Sequence, residues 1–142
     1  DKYYKVDFKV HESYKFMVCI PPFELKTSLA RSVLPKQVSI SDAVFNISHA
    51  LTMVKALECG DIELLKKGKK DLFHEPYRYP LIKDSEIVLQ YASDNNLVCL
   101  ISGAGSTLLL IGKNKISQNL NLDSWRFEEV ELNKIGAYIY EK

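Results

Sequence analysis

The spacing of apolar and polar positions changes its period several times along the chain, and each change predicts an element. Ile40, Ala43, Val44, Ile47, Ala50, Leu51, Val54 and Leu57 recur at three- and four-residue intervals, which draws one apolar stripe along a helix expected to pack on the core. Ser39, with Asp42 three residues on, marks its start, and Gly60 suits the left-handed residue that stops it. Asp61 can cap a second helix to about Lys70. Asp84–Asp94, with Ile87, Val88, Tyr91 and Ala92 on one face, predicts a third. A shorter helix over Ser28–Val33 ends before Pro35, because a residue preceding proline disfavours helical backbone.

Elsewhere the pattern is strand-like. Asp1–Lys9 alternates charged with aromatic or branched residues, and Lys15–Ile20 is a more continuous apolar run stopped by Pro21 and Pro22. Leu97–Ile101 and Thr107–Ile111 flank a glycine-rich turn and predict a buried hairpin. Trp125–Leu132 and Ala137–Glu141 alternate as further strands. The order of strand, helices, hairpin and final strands predicts an α+β sandwich, an antiparallel sheet with helices on one face.

Composition bounds the class. The 142 residues are 46% hydrophobic and 26% charged, without repeat or linker, so residues 1–142 are expected to form a single domain. Nineteen basic against eighteen acidic side chains give a net charge of +1, which argues against nucleic acid and an anionic membrane surface as partners. The uncharged stretch Leu97–Gly112 holds three glycines and several hydroxyls, unlike a transmembrane helix. Cys19, Cys59 and Cys99 stand forty residues apart, too far for a zinc knuckle and odd in number for a disulfide framework. They read as reduced, mostly buried thiols, and with no signal-peptide pattern they favour the cytoplasm. A start at Asp1 rather than Met hints at a piece of a longer polypeptide.

Three segments could carry chemistry. In Ser102-Gly103-Ala104-Gly105-Ser106-Thr107 the two glycines allow positive φ and a close approach of backbone N–H groups to an anion, although hairpins also use glycine for steric reasons alone. Thr27 and Arg31 lie one helical turn apart, so a hydroxyl and a guanidinium could share a face; the plainer alternative is a cap and a solvated cation. His74-Glu75-Pro76-Tyr77-Arg78 reads as a loop that prolines stiffen, aiming Arg78, or as an ordinary polar connection. His49 and the Lys66–Lys70 run read as structural and solvated. No Ser/His/Asp set, carboxylate pair or metal cluster can be drawn, so no catalytic or metal-binding residue is assigned.

In order, Thr27-Ser28-Leu29-Ala30-Arg31, Leu34-Pro35, Asp42-Ala43-Val44-Phe45-Asn46, the HEPYR segment and Ser102–Thr107 closely resemble the C-terminal half of the homoserine kinases, within the GHMP small-molecule kinase superfamily. The resemblance runs from about Phe16 to Ile111 and departs at Ser106, where the family turn usually carries proline. It implies a ferredoxin-like domain and ATP- and Mg-dependent phosphorylation of the L-homoserine hydroxyl, on the way to threonine. It also implies that Arg31 and Arg78 hold the homoserine carboxylate with Thr27 and the backbone of Gly103, and that Ser102, Gly105 and Ser106 support the phosphate loop. The family's nucleotide loop, P-x-x-x-G-L-G-S-S-A, does not occur here. The chain is therefore expected to be a C-terminal half that binds no nucleotide or metal alone and is inactive without an N-terminal ATP-binding half; a homodimer is left open. The alternative is a non-catalytic, ferredoxin-like amino-acid-binding regulatory module.

Overall fold

A computed structural model describes residues 8–118 and 120–133 of the chain. The strand expected over Asp1–Lys9 falls almost wholly, and that over Ala137–Glu141 wholly, outside the described residues. Among the described residues four strands, β1 (Lys15–Ile20), β2 (Val98–Ile101), β3 (Leu108–Gly112) and β4 (Arg126–Val130), form one antiparallel sheet in the order β2-β3-β1-β4. That is the strand order of a ferredoxin-like sheet, as expected. The predicted hairpin is present as β2 and β3, with Ile101 opposite Leu108.

Five helices fill the connection from β1 to β2: α1 (Thr27–Ser32), α2 (Ile40–Cys59), α3 (Ile62–Gly68), α4 (Glu75–Arg78) and α5 (Ser85–Asp94). Strand alternation sends Met17, Cys19, Cys99, Ile101, Leu108 and Leu110 to one face, where they meet Ile82, Val88 and Ala92 from the α5 region and Trp125 from the β3–β4 crossover. The opposite face carries Val98 and Ile111 against Ala56 of α2 and Leu65 of α3. The helices thus divide between the two faces, which corrects the one-sided arrangement drawn from element order: β2 and β3 are apolar on both faces, so each face needs a cover.

The predicted limits of α2 hold: the Ser39 hydroxyl accepts from Asp42 N–H at 3.0 Å, and Gly60 has φ 74°. Asp61 likewise accepts from Leu64 N–H at 2.9 Å to start α3. The stripe itself does not pack as expected. Ile40, Val44, Ile47 and Leu51 are 85%, 61%, 61% and 68% exposed, while Ala56, Met53 and Leu57 make the contacts. The partner is the cause: α2 packs chiefly on α3, where Gly68 lets the backbone of Thr52 and Met53 approach closely, so only the side of α2 that faces α3 and the sheet is covered. α5 starts one residue later than expected, with Asp84 left-handed at φ 63° and making no cap, and Ile87 faces outward at 39% exposure. Among the described residues no helix is long and apolar enough to cross a membrane.

Candidate functional site

Three pieces of chain meet beyond the β2–β3 end of the sheet. Helix α1 follows the turn at Pro21 and Pro22; it buries Ala30 against the core and leaves Thr27 and Arg31, four residues apart, exposed on a shared outer face. The residue capping α1 is Lys26, without a side-chain cap bond, so Thr27 is not the cap that the plainer alternative made it. Among the described residues Arg31 is in no ion pair.

The HEPYR segment is not a loop. Glu75–Arg78 forms the single turn α4, which runs into a 3-10 turn over Tyr79–Leu81. Pro76 belongs in a first helical turn, where its missing N–H costs nothing and its φ is preset. His74, at the capping position, makes no side-chain cap. Asp71 replaces it, its Oδ2 accepting from the N–H groups of His74 and Glu75 at 2.7 Å each. Its Oδ1 accepts from Asn46 Nδ2 at 2.6 Å, and Asn46 Oδ1 accepts from Leu72 N–H at 2.9 Å.

From the end of α4, Arg78 reaches both other pieces. Its Nε–H donates to the Ala30 carbonyl at 3.2 Å and its Nη1 to the Gly103 carbonyl at 3.1 Å. The guanidinium has five N–H groups, so three remain for a ligand. Arg78 is therefore brought against the backbone of α1 next to Arg31, and among the described residues neither cation is paired with a carboxylate.

The third piece is the turn. Ser102 N–H donates to Thr107 O at 2.9 Å and Gly105 N–H to Ser102 O at 3.1 Å; among the described residues the N–H groups of Gly103 and Ala104 have no partner. Gly103 has φ 61° and Gly105 φ 89°, so both occupy backbone that disfavours a side chain. A Cβ at Gly103 would meet nothing within 4 Å, whereas one at Gly105 would lie 3.2 Å from Ile82 Cδ1 and 3.3 Å from Leu25 Cδ2. Ser106 is buried and donates its hydroxyl to the Phe23 carbonyl at 2.8 Å, tying the turn to the segment that leads into α1. Ser102 is exposed at the rim.

Two carboxylates flank α4 with opposite electrostatics. Burial alone would raise the Asp71 pKa, but the N–H groups of Glu75 and His74, the Asn46 amide and the nearby His74 ring together hold it below the ordinary value. Glu75 is pushed up, chiefly by burial, against the opposing pull of Lys69, the Ile101 N–H and the Tyr79 hydroxyl. Cys19 and Cys99 are buried, and loss of solvation raises their thiols to about 12 and about 11. Cys59, expected with them inside, is exposed at the end of α2.

Sequence reasoning named the turn, Thr27, Arg31 and Arg78 but missed Asp71 and gave Asn46 no role. A signal existed for Asp71: an acidic residue three and four positions before two helix-starting N–H groups is a capping spacing. None existed for its pairing with Asn46, 25 residues away.

These features define an α+β domain of ferredoxin-like topology in which Arg78 joins the glycine turn to α1, the helix that carries Arg31. Comparison with known proteins narrows that class. A family described as "GHMP kinases C terminal" matches residues 53–128, and the chain belongs to it. Homoserine kinase from Clostridium beijerinckii is 38% identical, with 98% of this chain and 49% of that protein covered. Homoserine kinase from Prochlorococcus marinus is 43% identical, with 78% of this chain and 36% of that protein covered. The crystal structure of homoserine kinase from Cytophaga hutchinsonii superposes with a TM-score of 0.75 at 25% identity, covering 88% of this chain and 43% of that one. The chain spans about half the length of the curated relatives it matches.

Proposed function

We propose that this chain is the substrate-binding half of a homoserine kinase, which transfers the terminal phosphoryl group of ATP to the side-chain hydroxyl of L-homoserine and yields O-phospho-L-homoserine. The observation that carries the reading is Arg78, fixed by two backbone carbonyls beside Arg31, with N–H groups to spare and no counter-ion among the described residues. A planar guanidinium matches a carboxylate bidentately, so Arg31 and Arg78 hold the homoserine carboxylate while the Thr27 hydroxyl and the Gly103 N–H add hydrogen bonds. The turn, with Ser102 and Gly105 shaping it and Ser106 pinning it to Phe23, faces the phosphate side.

No group of three or more His, Cys, Asp or Glu side chains among the described residues could hold a metal, and the sequence lacks the P-x-x-x-G-L-G-S-S-A loop. The same reading assigns ATP and magnesium to an N-terminal half. Phosphoryl transfer needs chiefly positioning and charge neutralisation, so this half contributes orientation of the acceptor rather than a base. A cytoplasmic biosynthetic enzyme fits its unpaired cysteines.

The test is titration of the 142-residue chain with L-homoserine, followed by NMR at the arginine Nε–H groups and the turn amides, beside 2-aminobutane-1,4-diol, which lacks the carboxylate. Homoserine should shift Arg31, Arg78 and Gly103 and the diol should not. Equal shifts with both compounds, or shifts confined to other faces, overturn the assignment. The chain alone should show no homoserine-dependent ADP release, and measurable release would overturn the division of labour between halves.

A further inference from the structure

We propose that Asp71, gripped by Asn46, is the positioning residue that sets Arg78 for its ligand; in its functional consequence this rests on the homoserine-binding reading. The argument starts from the size of α4. Four residues cannot sustain a helix, because nucleation fixes several dihedrals for the first hydrogen bond. Something outside the turn must hold its free N–H groups, and the residue at its capping position does not.

Asp71 does, with both oxygens engaged: Oδ2 takes the N–H groups of His74 and Glu75 at 2.7 Å each, and Oδ1 takes Asn46 Nδ2 at 2.6 Å. The Asp71 side chain is only 11% exposed, with the His74 ring beside it, Nε2 at 3.7 Å from Oδ1, and the Glu75 carboxyl close enough to interact with it. Asn46 completes the grip by accepting Leu72 N–H at 2.9 Å, so one amide from α2 holds both the side chain of Asp71 and the backbone beside it.

The consequence is a continuous path. α2 fixes Asn46, Asn46 fixes Asp71, Asp71 fixes the first N–H groups of α4, and one turn later Arg78 projects to Ala30 and Gly103. Neither Asn46 nor Asp71 reaches the proposed ligand groups. Their role is to decide where the guanidinium fork points.

The hydrogen-bond directions supply a sharp experiment on the chain itself. Asp71→Asn alone sets one amide donor against another, either the Asn46 amide or the α4 N–H groups. Asn46→Asp alone places two carboxylates face to face. The double swap, Asn46→Asp with Asp71→Asn, remakes all four hydrogen bonds: the amide now at position 71 donates to the carboxylate at 46 and accepts the α4 N–H groups. Solvent exchange of the Arg78 Nε–H, read by NMR, should quicken at least about tenfold in Asp71→Asn and return to within about twofold of the parent in the swap. Homoserine affinity should follow the same order. If Arg78 exchange stays at the parent rate in Asp71→Asn while the melting temperature falls, Asp71 is merely structural and the proposal fails. If the swap folds but Arg78 exchanges freely, or if the swap does not fold, it also fails. Should exchange behave as expected while homoserine binds none of the proteins, the positioning role stands and the substrate assignment falls.

Discussion

The Nε–H of Arg78 donates to the carbonyl oxygen of Ala30 at 3.2 Å, so a cation from one segment is anchored on the helical turn that presents Arg31. A lysine at position 78 has no second arm to hold Gly103 while serving a ligand. In the kinase proposed above, Arg78→Ala should lower kcat/KM for homoserine at least about tenfold, since a charge-assisted hydrogen bond contributes about 1.5–3 kcal/mol. Arg78→Lys should recover little of it. ATP affinity should change less than about twofold, because this half holds no nucleotide loop. Steady-state kinetics with each substrate varied in turn checks all three.

Gly103→Ala and Gly105→Ala should each destabilise the chain by about 1 kcal/mol or more, because both replace glycine at positive φ. The second should be worse, since its Cβ also crowds Ile82 and Leu25 whereas that at Gly103 enters open space. Urea denaturation ranks them. Equal losses would show that strain alone matters.

The two carboxylates at α4 should give opposite pH dependences. Asp71 titrates below its unfolded value, so its contribution is fully present above the ordinary carboxylate pKa of about 4 and is lost as pH falls through the lowered one. Asp71→Asn should therefore be destabilising near neutrality, with the difference shrinking in acid. Glu75 titrates above its unfolded value, so its ionisation opposes folding above the raised pKa and that cost disappears as pH falls toward about 4. Glu75→Gln, which can still accept from the Tyr79 hydroxyl, should stabilise the chain at pH about 8 and lose that advantage in acid. Denaturation midpoints across the pH series decide both signs.

Among the thiols, Cys59 should react with a maleimide within minutes at neutral pH, while Cys19 and Cys99 should stay unmodified until the chain unfolds. Mass spectrometry of the labelled peptides reads the result.

Val44→Asp and Leu51→Asp should change the stability of this chain by no more than about 0.5 kcal/mol, because both side chains are exposed. Leu65→Ala, at a fully buried position under the same helix, should cost about 2–5 kcal/mol. A large loss from either aspartate would restore the expectation that the apolar stripe is core.

What the sequence determined by itself is what bonds of short reach determine. The limits of α2 follow from a hydroxyl and an N–H three residues apart and from a glycine whose backbone turns left-handed, and both read directly off the spacing. The hairpin and its turn are legible for the same reason, since β2, β3 and the glycines are neighbours in the chain. The order of motifs also carried the resemblance, and with it Thr27, Arg31, Arg78 and Gly103. Only the tertiary structure decided which part of α2 packs, because a periodic stripe shows where a helix is apolar and not which neighbouring element covers it. It alone made α4 a helix, through a carboxylate whose orientation depends on Asn46 from another element. It alone brought Arg78 to Ala30 and Gly103, partners 48 and 25 residues away, since such contacts arise from the packing of whole elements and leave no period in the sequence.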